Sequence, residues 1–287
     1  MSLTTEFKQS LKTVDSEEIL DLVIFRPLSF VLVKMIYNTN ITPNQISSVA
    51  LIFGILSGML YGFGTYEFLL LGSASFFICN TLDCMDGQLA RLKKNGTKIG
   101  RVIDGFIDYT TSVSVFLGLG IAMTTITGDP LYSWLLTVAA GISKALQNML
   151  FDNYRNLYLE LVYGKASDID AEIEEYTEEW ERLNREGGSI TDKMLVKSYI
   201  GYSKIQKKLT KHLTLKATPE EYKDKNRLIL RLWSWIGSTT HMVALIVCTI
   251  LNRIDIYLIL TVTAGNLIMI MLKVWQDRIL KEFKPAK

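Results

Sequence analysis

The sequence has few of the residues that mark several common classes of functional site. Its three cysteines, Cys79, Cys84 and Cys248, lie in apolar segments without metal-ligand spacing, so neither disulfides nor a thiolate metal site is expected. A net charge of +2 gives no reason to expect a nucleic-acid partner. The sequence has no internal repeat, no low-complexity tract and no glycine-rich phosphate loop. Residues 1–20 are polar and acidic, so a cleavable secretory signal is not expected.

Long apolar runs dominate the rest of the chain, which has 287 residues, 49% of them hydrophobic. Since a bilayer-spanning helix needs about 20 residues, we predict six spans, at 44–64, 66–88, 99–125, 131–154, 228–251 and 255–276. Three short turns, "GTYE", "TGDP" and "NRID", contain a single cation, Arg253. The other lysines and arginines gather at the opposite ends of the spans. The positive-inside rule therefore predicts a multi-pass protein with both termini in the cytoplasm.

The predicted fold class is an all-α integral membrane protein with four segments. Residues 1–43 would carry an interfacial helix, 44–154 four spans, 155–227 a cytoplasmic helical insertion, and 228–287 two further spans and a tail. Thr42-Pro43 and "TPEE" at 218–221 mark helix starts. In the insertion, an acidic helix capped by Ser167 and ended by Gly187-Gly188 precedes a basic helix that opens at Thr191. This pattern favours an antiparallel hairpin, and a basic helix lying on anionic headgroups is the alternative.

Four aspartates lie close together at the predicted cytoplasmic ends of the second and third spans. Asp83 and Asp86 are spaced i, i+3, and Asp104 and Asp108 are spaced i, i+4, so each pair shares one helical face. Four clustered carboxylates repel one another unless a cation lies between them, and hard divalent ions prefer carboxylate oxygens. Small residues and an arginine nearby favour a diphosphate held on metal: Gly87, Ala90, Arg91 and Gly100.

The segment Asp83-x2-Asp86-Gly87-x2-Ala90-Arg91-x8-Gly100-x3-Asp104-x3-Asp108 resembles the signature of the CDP-alcohol phosphotransferases, also called phosphatidyltransferases. The resemblance extends over about 40–152 and more loosely over 228–276. It implies a transferase of phospholipid biosynthesis that binds a CDP-linked donor through two divalent ions, Mg²⁺ or Mn²⁺, and releases CMP. By position it implies that Asp83, Asp86, Asp104 and Asp108 form the metal site, with Asp108 also the general base. Gly87, Ala90, Arg91 and Gly100 would contact the CDP moiety.

The substrates are less well determined by the sequence. We expect transfer of a phosphatidyl group from CDP-diacylglycerol to an inositol-type or other polyol. The alternative is transfer of a CDP-choline or CDP-ethanolamine head group to a lipid alcohol. Lys144 and Arg155 are candidates for an anion site that binds the acceptor, although Lys144 can also be interpreted as snorkelling. Nearby Gln147, Asn148 and Asp152 are alternatives that would recognise a polyol or an amine.

Three further expectations concern the functional class of the protein, its oligomeric state and the role of His241. A membrane transporter is a more remote alternative, because the carboxylates lie at one end of the spans. Membrane enzymes of this size often form homodimers, but no segment of the sequence identifies a dimer interface. His241 is expected to be a hydrogen-bonded polar group of the fifth span rather than a metal ligand.

Overall fold

The computed structural model describes residues 3–95, 98–164, 169–187, 189–209 and 215–285. The described chain is almost entirely helical. Its α-helices are α1 (Leu3–Ser10), α2 (Arg26–Ile36), α3 (Pro43–Gly62), α4 (Tyr66–Lys93), α5 (Lys98–Thr127), α6 (Pro130–Tyr163), α7 (Ile169–Arg185), α8 (Ile190–Leu209), α9 (Pro219–Trp233), α10 (Ser238–Ile250), α11 (Ile254–Leu260) and α12 (Asn266–Lys281). Two π-helical turns, Asp21–Phe25 and Thr261–Gly265, lead into α2 and α12, and a 3₁₀ turn, Ser234–Ile236, joins α9 to α10. Two short strands, β1 (Leu215–Lys216) and β2 (Lys284–Pro285), pair antiparallel.

Five stretches of the described chain are long and apolar enough to cross a membrane. They are Pro43–Gly62, Tyr66–Lys93, Ile103–Thr127, Pro219–Ile250 and Ile254–Lys281. They match α3, α4, α5, α9 with α10, and α11 with α12. The prediction of an all-α membrane protein is therefore confirmed for these five. The predicted span at 131–154, which lies in α6, does not reach the same hydropathy.

Helix α6 owes its lower hydropathy to a polar buried face. Asp129 caps the helix, since its carboxylate accepts the Tyr132 backbone N–H at 3.0 Å, and Gly128 supplies a positive φ of 70° in the preceding turn. The chain thereby reverses and α6 packs against α5. Serine, threonine, lysine and glutamine side chains are buried along α6, whereas its exposed residues are mostly apolar: Leu131, Leu135, Val138, Ile142 and Leu146. Its 34 residues would extend about 50 Å.

Small residues let α3 lie directly against α5. A methyl group added at Gly54 would collide with the side chain of Thr111, and one added at Gly118 would collide with the backbone of Gly58. Helix α3 begins at the predicted position. Thr42 and Gln45 form a reciprocal capping box, with bonds of 3.0 and 3.3 Å. Since α4 also packs along α3, the three helices form a rigid support for the aspartates.

A buried polar network joins α6 to the last two spans. The Gln147 amide donates to the Thr261 carbonyl at 3.1 Å and to Asn266 Oδ1 at 2.9 Å, and its carbonyl bonds His241 Nε2 at 2.8 Å. Asn266 in turn donates to Ser143 Oγ at 2.9 Å. His241 is thus the hydrogen-bonded group that we predicted, and no candidate metal group among the described residues includes it.

Several chain ends meet on the side of the molecule where α4 ends. The Tyr163 hydroxyl, at the end of α6, donates to Asp15 at 2.9 Å, and Arg231 of α9 donates to the Glu17 carbonyl at 3.0 Å. At the end of α12, Glu282 pairs with Lys225 of α9 at 2.8 Å. On the opposite side, the Tyr66 hydroxyl donates to the Ile250 carbonyl at 2.9 Å, joining the turns before α4 and after α10.

The insertion contains two helices that pack against each other. Tyr176 and Leu183 of α7 and Val196 of α8 form a small apolar core, and the rings of Tyr176 and Tyr199 are 4.6 Å apart. The second helix begins at Ile190, one residue before the predicted Thr191. The predicted cap Ser167 and Gly188 lie outside the described residues. Thr218 caps α9 by accepting the Glu221 N–H at 3.3 Å, which is one half of the predicted capping box.

Candidate active site

Three of the four predicted aspartates come together between α4 and α5. Asp83 and Asp86 lie one turn apart on α4, and Asp104 faces them from α5. Their carboxylate oxygens lie within 4.8 Å of one another. Asp86 is buried, and the Ser47 hydroxyl of α3 donates a hydrogen bond to it. Ser47 could not be identified from the sequence, because no motif distinguishes it and it lies 39 positions away from Asp86.

The chemistry of this group fits a hard divalent cation. Three carboxylates supply oxygen ligands of the kind that Mg²⁺ and Mn²⁺ prefer. Without a cation, their mutual repulsion would be costly at this separation. The Ser47 hydrogen bond holds the Asp86 carboxylate in place. The three residues therefore form a candidate metal centre.

Asp108 lies one turn beyond Asp104 on α5 and is not part of the three-carboxylate group. It is exposed, and the charges that act on its carboxylate include those of Asp104, Lys144 and Asp152. Lys144 of α6 is buried and donates from Nζ to Ser112 Oγ at 3.2 Å. Lys144 is therefore directed into the protein beside Asp108.

Arg91 of α4 folds back over Gly87. A Cβ atom added to Gly87 would lie 3.3 Å from a terminal guanidinium nitrogen of Arg91, so this glycine leaves room for the arginine. Arg91 Nε donates to the backbone carbonyl of Ser10. One terminal nitrogen, Nη2, is buried without a hydrogen-bond partner among the described residues. Ala90 is half-buried beside it, and Gly100 lies in the first turn of α5.

Arg155, the second candidate for an acceptor anion site, is already paired. It bonds Asp152 at 2.8 Å, and its guanidinium lies 5.4 Å from the centre of the Phe151 ring. Asn148 lies on the same face of α6, between Lys144 and Asp152. Its Oδ1 is buried and has no hydrogen-bond partner in the part of the chain that the structure describes.

An acidic segment before α2 packs beside the site. Arg26 holds Glu17 through two bonds of 2.8 and 3.1 Å and donates to the Cys84 carbonyl of α4 at 3.2 Å. Burial alone would raise the pKa of the Glu17 carboxyl. The Arg26 charge and the Lys12 backbone N–H outweigh burial and hold that pKa below its ordinary value. These long-range contacts could not be read from the sequence, where Arg26-Pro27 marks only an interruption.

Glu18, in the same segment before α2, contacts the start of α10. Its carboxylate accepts the backbone N–H groups of Thr239 and Thr240 at 3.1 and 3.4 Å. Gly237 makes this approach feasible, because any Cβ there would collide with the Glu18 carboxylate. Burial, together with the nearby Asp21 carboxylate, raises the pKa of Glu18 to about 8.

Comparison with known proteins agrees with this geometry. Residues 40–159 match the family model of the CDP-alcohol phosphatidyltransferases. The matched segment runs from the start of α3 nearly to the end of α6 and includes all four aspartates, Arg91 and Lys144. A search of curated proteins gives no match. Residues 40–159 are therefore similar to a CDP-alcohol phosphatidyltransferase domain, a domain of transferases that move phosphate-containing groups.

Proposed function

We propose that the protein transfers a phosphatidyl group from CDP-diacylglycerol to a small polyol and releases CMP. The observation that carries this proposal is the three-carboxylate group of α4 and α5, with oxygens within 4.8 Å. Near it lies Arg91, whose Nη2 has no hydrogen-bond partner among the described residues. Together, the carboxylates and the arginine could bind a diphosphate through metal ions on the side of the molecule where the chain ends meet.

In this proposal Asp83, Asp86 and Asp104 hold divalent ions, Mg²⁺ or Mn²⁺, and Asp108 completes the site. Bound ions would neutralise the diphosphate of the donor and stabilise the charge that develops at phosphorus. Arg91 donates from its free nitrogen to a phosphate oxygen. Gly87, Ala90 and Gly100 let the CDP moiety approach the helix backbones closely.

Asp108 acts as the general base. It is separated from the three-carboxylate group by one helical turn, and it is exposed, so an acceptor hydroxyl can reach it. As the hydroxyl oxygen attacks the phosphorus that bears the lipid, its proton passes to Asp108 and the bond from that phosphorus to CMP breaks. The Lys144 charge beside Asp108 stabilises the carboxylate in the form that accepts a proton.

The acceptor would lie between Asp108 and α6. Arg155 pairs with Asp152 and Lys144 donates a hydrogen bond to Ser112, so both cations already have a partner within the protein. The unpartnered Asn148 Oδ1 instead calls for a ligand that donates a hydrogen bond. A polyol, with several hydroxyl donors, meets this need.

We further propose six spans with the active site facing the cytoplasm. Counting α6 as a span gives three helical hairpins, α3–α4, α5–α6 and α9–α12. All of them then begin and end on the side where Asp15, Glu17 and Glu282 make their contacts. The basic residues lie on this side, as the positive-inside rule requires.

A matrix of donors and acceptors tests the reaction. Purified protein in detergent with Mg²⁺ or Mn²⁺ would receive CDP-diacylglycerol with inositol, inositol phosphate, glycerol phosphate, serine or amino alcohols. Parallel reactions would combine CDP-choline or CDP-ethanolamine with diacylglycerol. We expect a phosphatidyl-polyol product by mass spectrometry. A product only with the CDP-linked head groups would show the alternative donor, and metal-dependent CDP binding without any product would refute the proposed acceptor class.

A further inference from the structure

A fully buried glutamine fastens the N-terminal segment to the signature helix. Gln88 lies between Gly87 and Arg91 but is not a residue of the signature. Its amide nitrogen donates to Ser10 Oγ at 3.0 Å and to the Arg26 carbonyl at 3.2 Å. Both Gln88 and Ser10 have no exposed surface. One side chain of α4 therefore holds the end of α1 and the start of α2 at once.

The same end of α1 holds Arg91. The Ser10 carbonyl accepts from Arg91 Nε, and the Ser10 hydroxyl donates to the Phe7 carbonyl at 2.6 Å, which fixes the last turn of α1. With Nε held in this way, the guanidinium lies against Gly87 and its Nη2 stays unpartnered. A buried guanidinium nitrogen without a partner is costly unless a ligand accepts its hydrogen bond.

We propose that Gln88 and Ser10 are positioning residues that aim Arg91 at the diphosphate of the CDP donor. This inference rests on the proposed function. Gln88 fixes Ser10, Ser10 fixes Arg91 Nε, and the free Nη2 of Arg91 binds a phosphate oxygen. The N-terminal segment thereby forms part of the donor site, although it precedes the matched domain at residues 40–159. Because a guanidinium binds phosphate through directed N–H groups, loss of its fixed orientation weakens donor binding.

Plain helix packing is the competing explanation, and the structure offers a matched control for it. Ser29 of α2 is also fully buried and donates to the Thr81 carbonyl of α4 at 2.8 Å. Ser29→Ala thus removes a buried hydrogen bond between the N-terminal segment and the same helix, but two turns away from Gln88. It should leave donor binding nearly unchanged if Gln88 acts through Arg91.

The test measures CDP binding by calorimetry on the full-length protein in detergent with Mg²⁺, together with KM and kcat for CDP-diacylglycerol. Gln88→Met keeps the side-chain length and removes both hydrogen bonds. We expect its Kd for CDP and its KM to rise about five- to tenfold, with kcat at saturating donor within about twofold of wild type. Ser10→Ala keeps the Gln88 bond to Arg26, so it should raise the Kd for CDP by a smaller factor. This variant provides the same test if Gln88→Met does not fold.

A double variant separates positioning from packing. In the Arg91→Ala background, Gln88→Met should add no further loss of CDP affinity, because the residue it positions is absent. Three results would overturn the inference. The first is a loss of CDP affinity in the double variant that is the sum of the two single losses. The others are an equal loss of CDP affinity in Ser29→Ala and Gln88→Met, and an unchanged CDP affinity in Gln88→Met. If wild-type protein bound no CDP at all, the proposed function itself would fail. Wild-type binding with no Gln88 effect would refute only the positioning role.

Discussion

Replacing Asp104 by asparagine tests the candidate metal centre through protein stability, independently of turnover. The oxygens of Asp83, Asp86 and Asp104 lie within 4.8 Å, so any two that are both ionised repel by about 3.5 kcal/mol at an effective dielectric constant of about 20. Asp104→Asn removes two of the three repelling pairs. In chelator, we therefore expect the variant to unfold at a higher temperature than wild type, since the uncompensated charge is smaller.

The addition of metal should reverse this order. A ligand present at about 100 times its Kd stabilises the folded state by about 2.7 kcal/mol, and the asparagine variant loses a ligand to the ion. Wild type should gain several degrees in Mg²⁺ or Mn²⁺, whereas Asp104→Asn should gain little. Thermal unfolding in detergent, with chelator and with each ion, measures both effects.

Asp255→Asn is the matched control for this experiment. Asp255 pairs with Arg253 at 2.8 Å on the opposite side of the molecule, so its replacement removes a carboxylate and only a weak surface ion pair. This variant should keep the wild-type response to metal. An equal metal response in wild type and Asp104→Asn, or destabilisation of Asp104→Asn in chelator, would refute the assignment of the three carboxylates to a metal site.

Three further predictions concern the surrounding residues. Asp108→Asn should keep metal stabilisation and CDP binding but abolish CMP release, because the acceptor hydroxyl then has no base; retained turnover would exclude this role. Arg91→Lys should weaken CDP binding by about tenfold, since a single ammonium replaces a fork of N–H donors, and calorimetry that finds unchanged affinity would contradict it. In the folded state the pKa of Glu18 is raised from 4.5 to about 8. Between pH 4.5 and pH 8 the folded protein therefore keeps a proton that the unfolded chain has lost, and the free energy of unfolding falls as pH rises through this window. Glu18→Gln should show a smaller decrease of melting temperature between pH 5 and 9 than wild type. An equal decrease in both proteins would count against the burial of a protonated Glu18.

Part of the geometry of the three-carboxylate group was predictable, because helical periodicity fixes it locally. Residues spaced three or four apart share a face whatever the tertiary structure, so Asp83 with Asp86 required only that α4 be a helix. Asp104, near the start of α5, lies opposite them. Asp108 shows the limit of this reasoning. One further helical turn shifts a side chain by about 5.4 Å, enough to place it outside the three-carboxylate group and next to Lys144 of α6.

The parts that sequence reasoning missed are those that depend on distant contacts. Ser10 meets Arg91 across 81 positions, and Arg26 meets Cys84 across 58. No local pattern encodes these partners. The sequence predicted an interfacial helix within residues 1–43. The structure has two helices there, α1 and α2, and contacts from Arg26 and Glu18 tie this segment to α4 and α10. Lys144 was ambiguous for the same reason, because only the packing of α6 on α5 shows that it is buried.

The most direct test of the central claim is CMP release from CDP-diacylglycerol by wild type and Asp108→Asn, measured side by side with inositol in Mg²⁺ and in chelator. We expect CMP release by wild type only when both acceptor and Mg²⁺ are present. We expect none by Asp108→Asn, even though that variant still binds CDP. CMP release that persists in chelator, or that is equal in the two proteins, would contradict a metal-dependent transfer with Asp108 as its base.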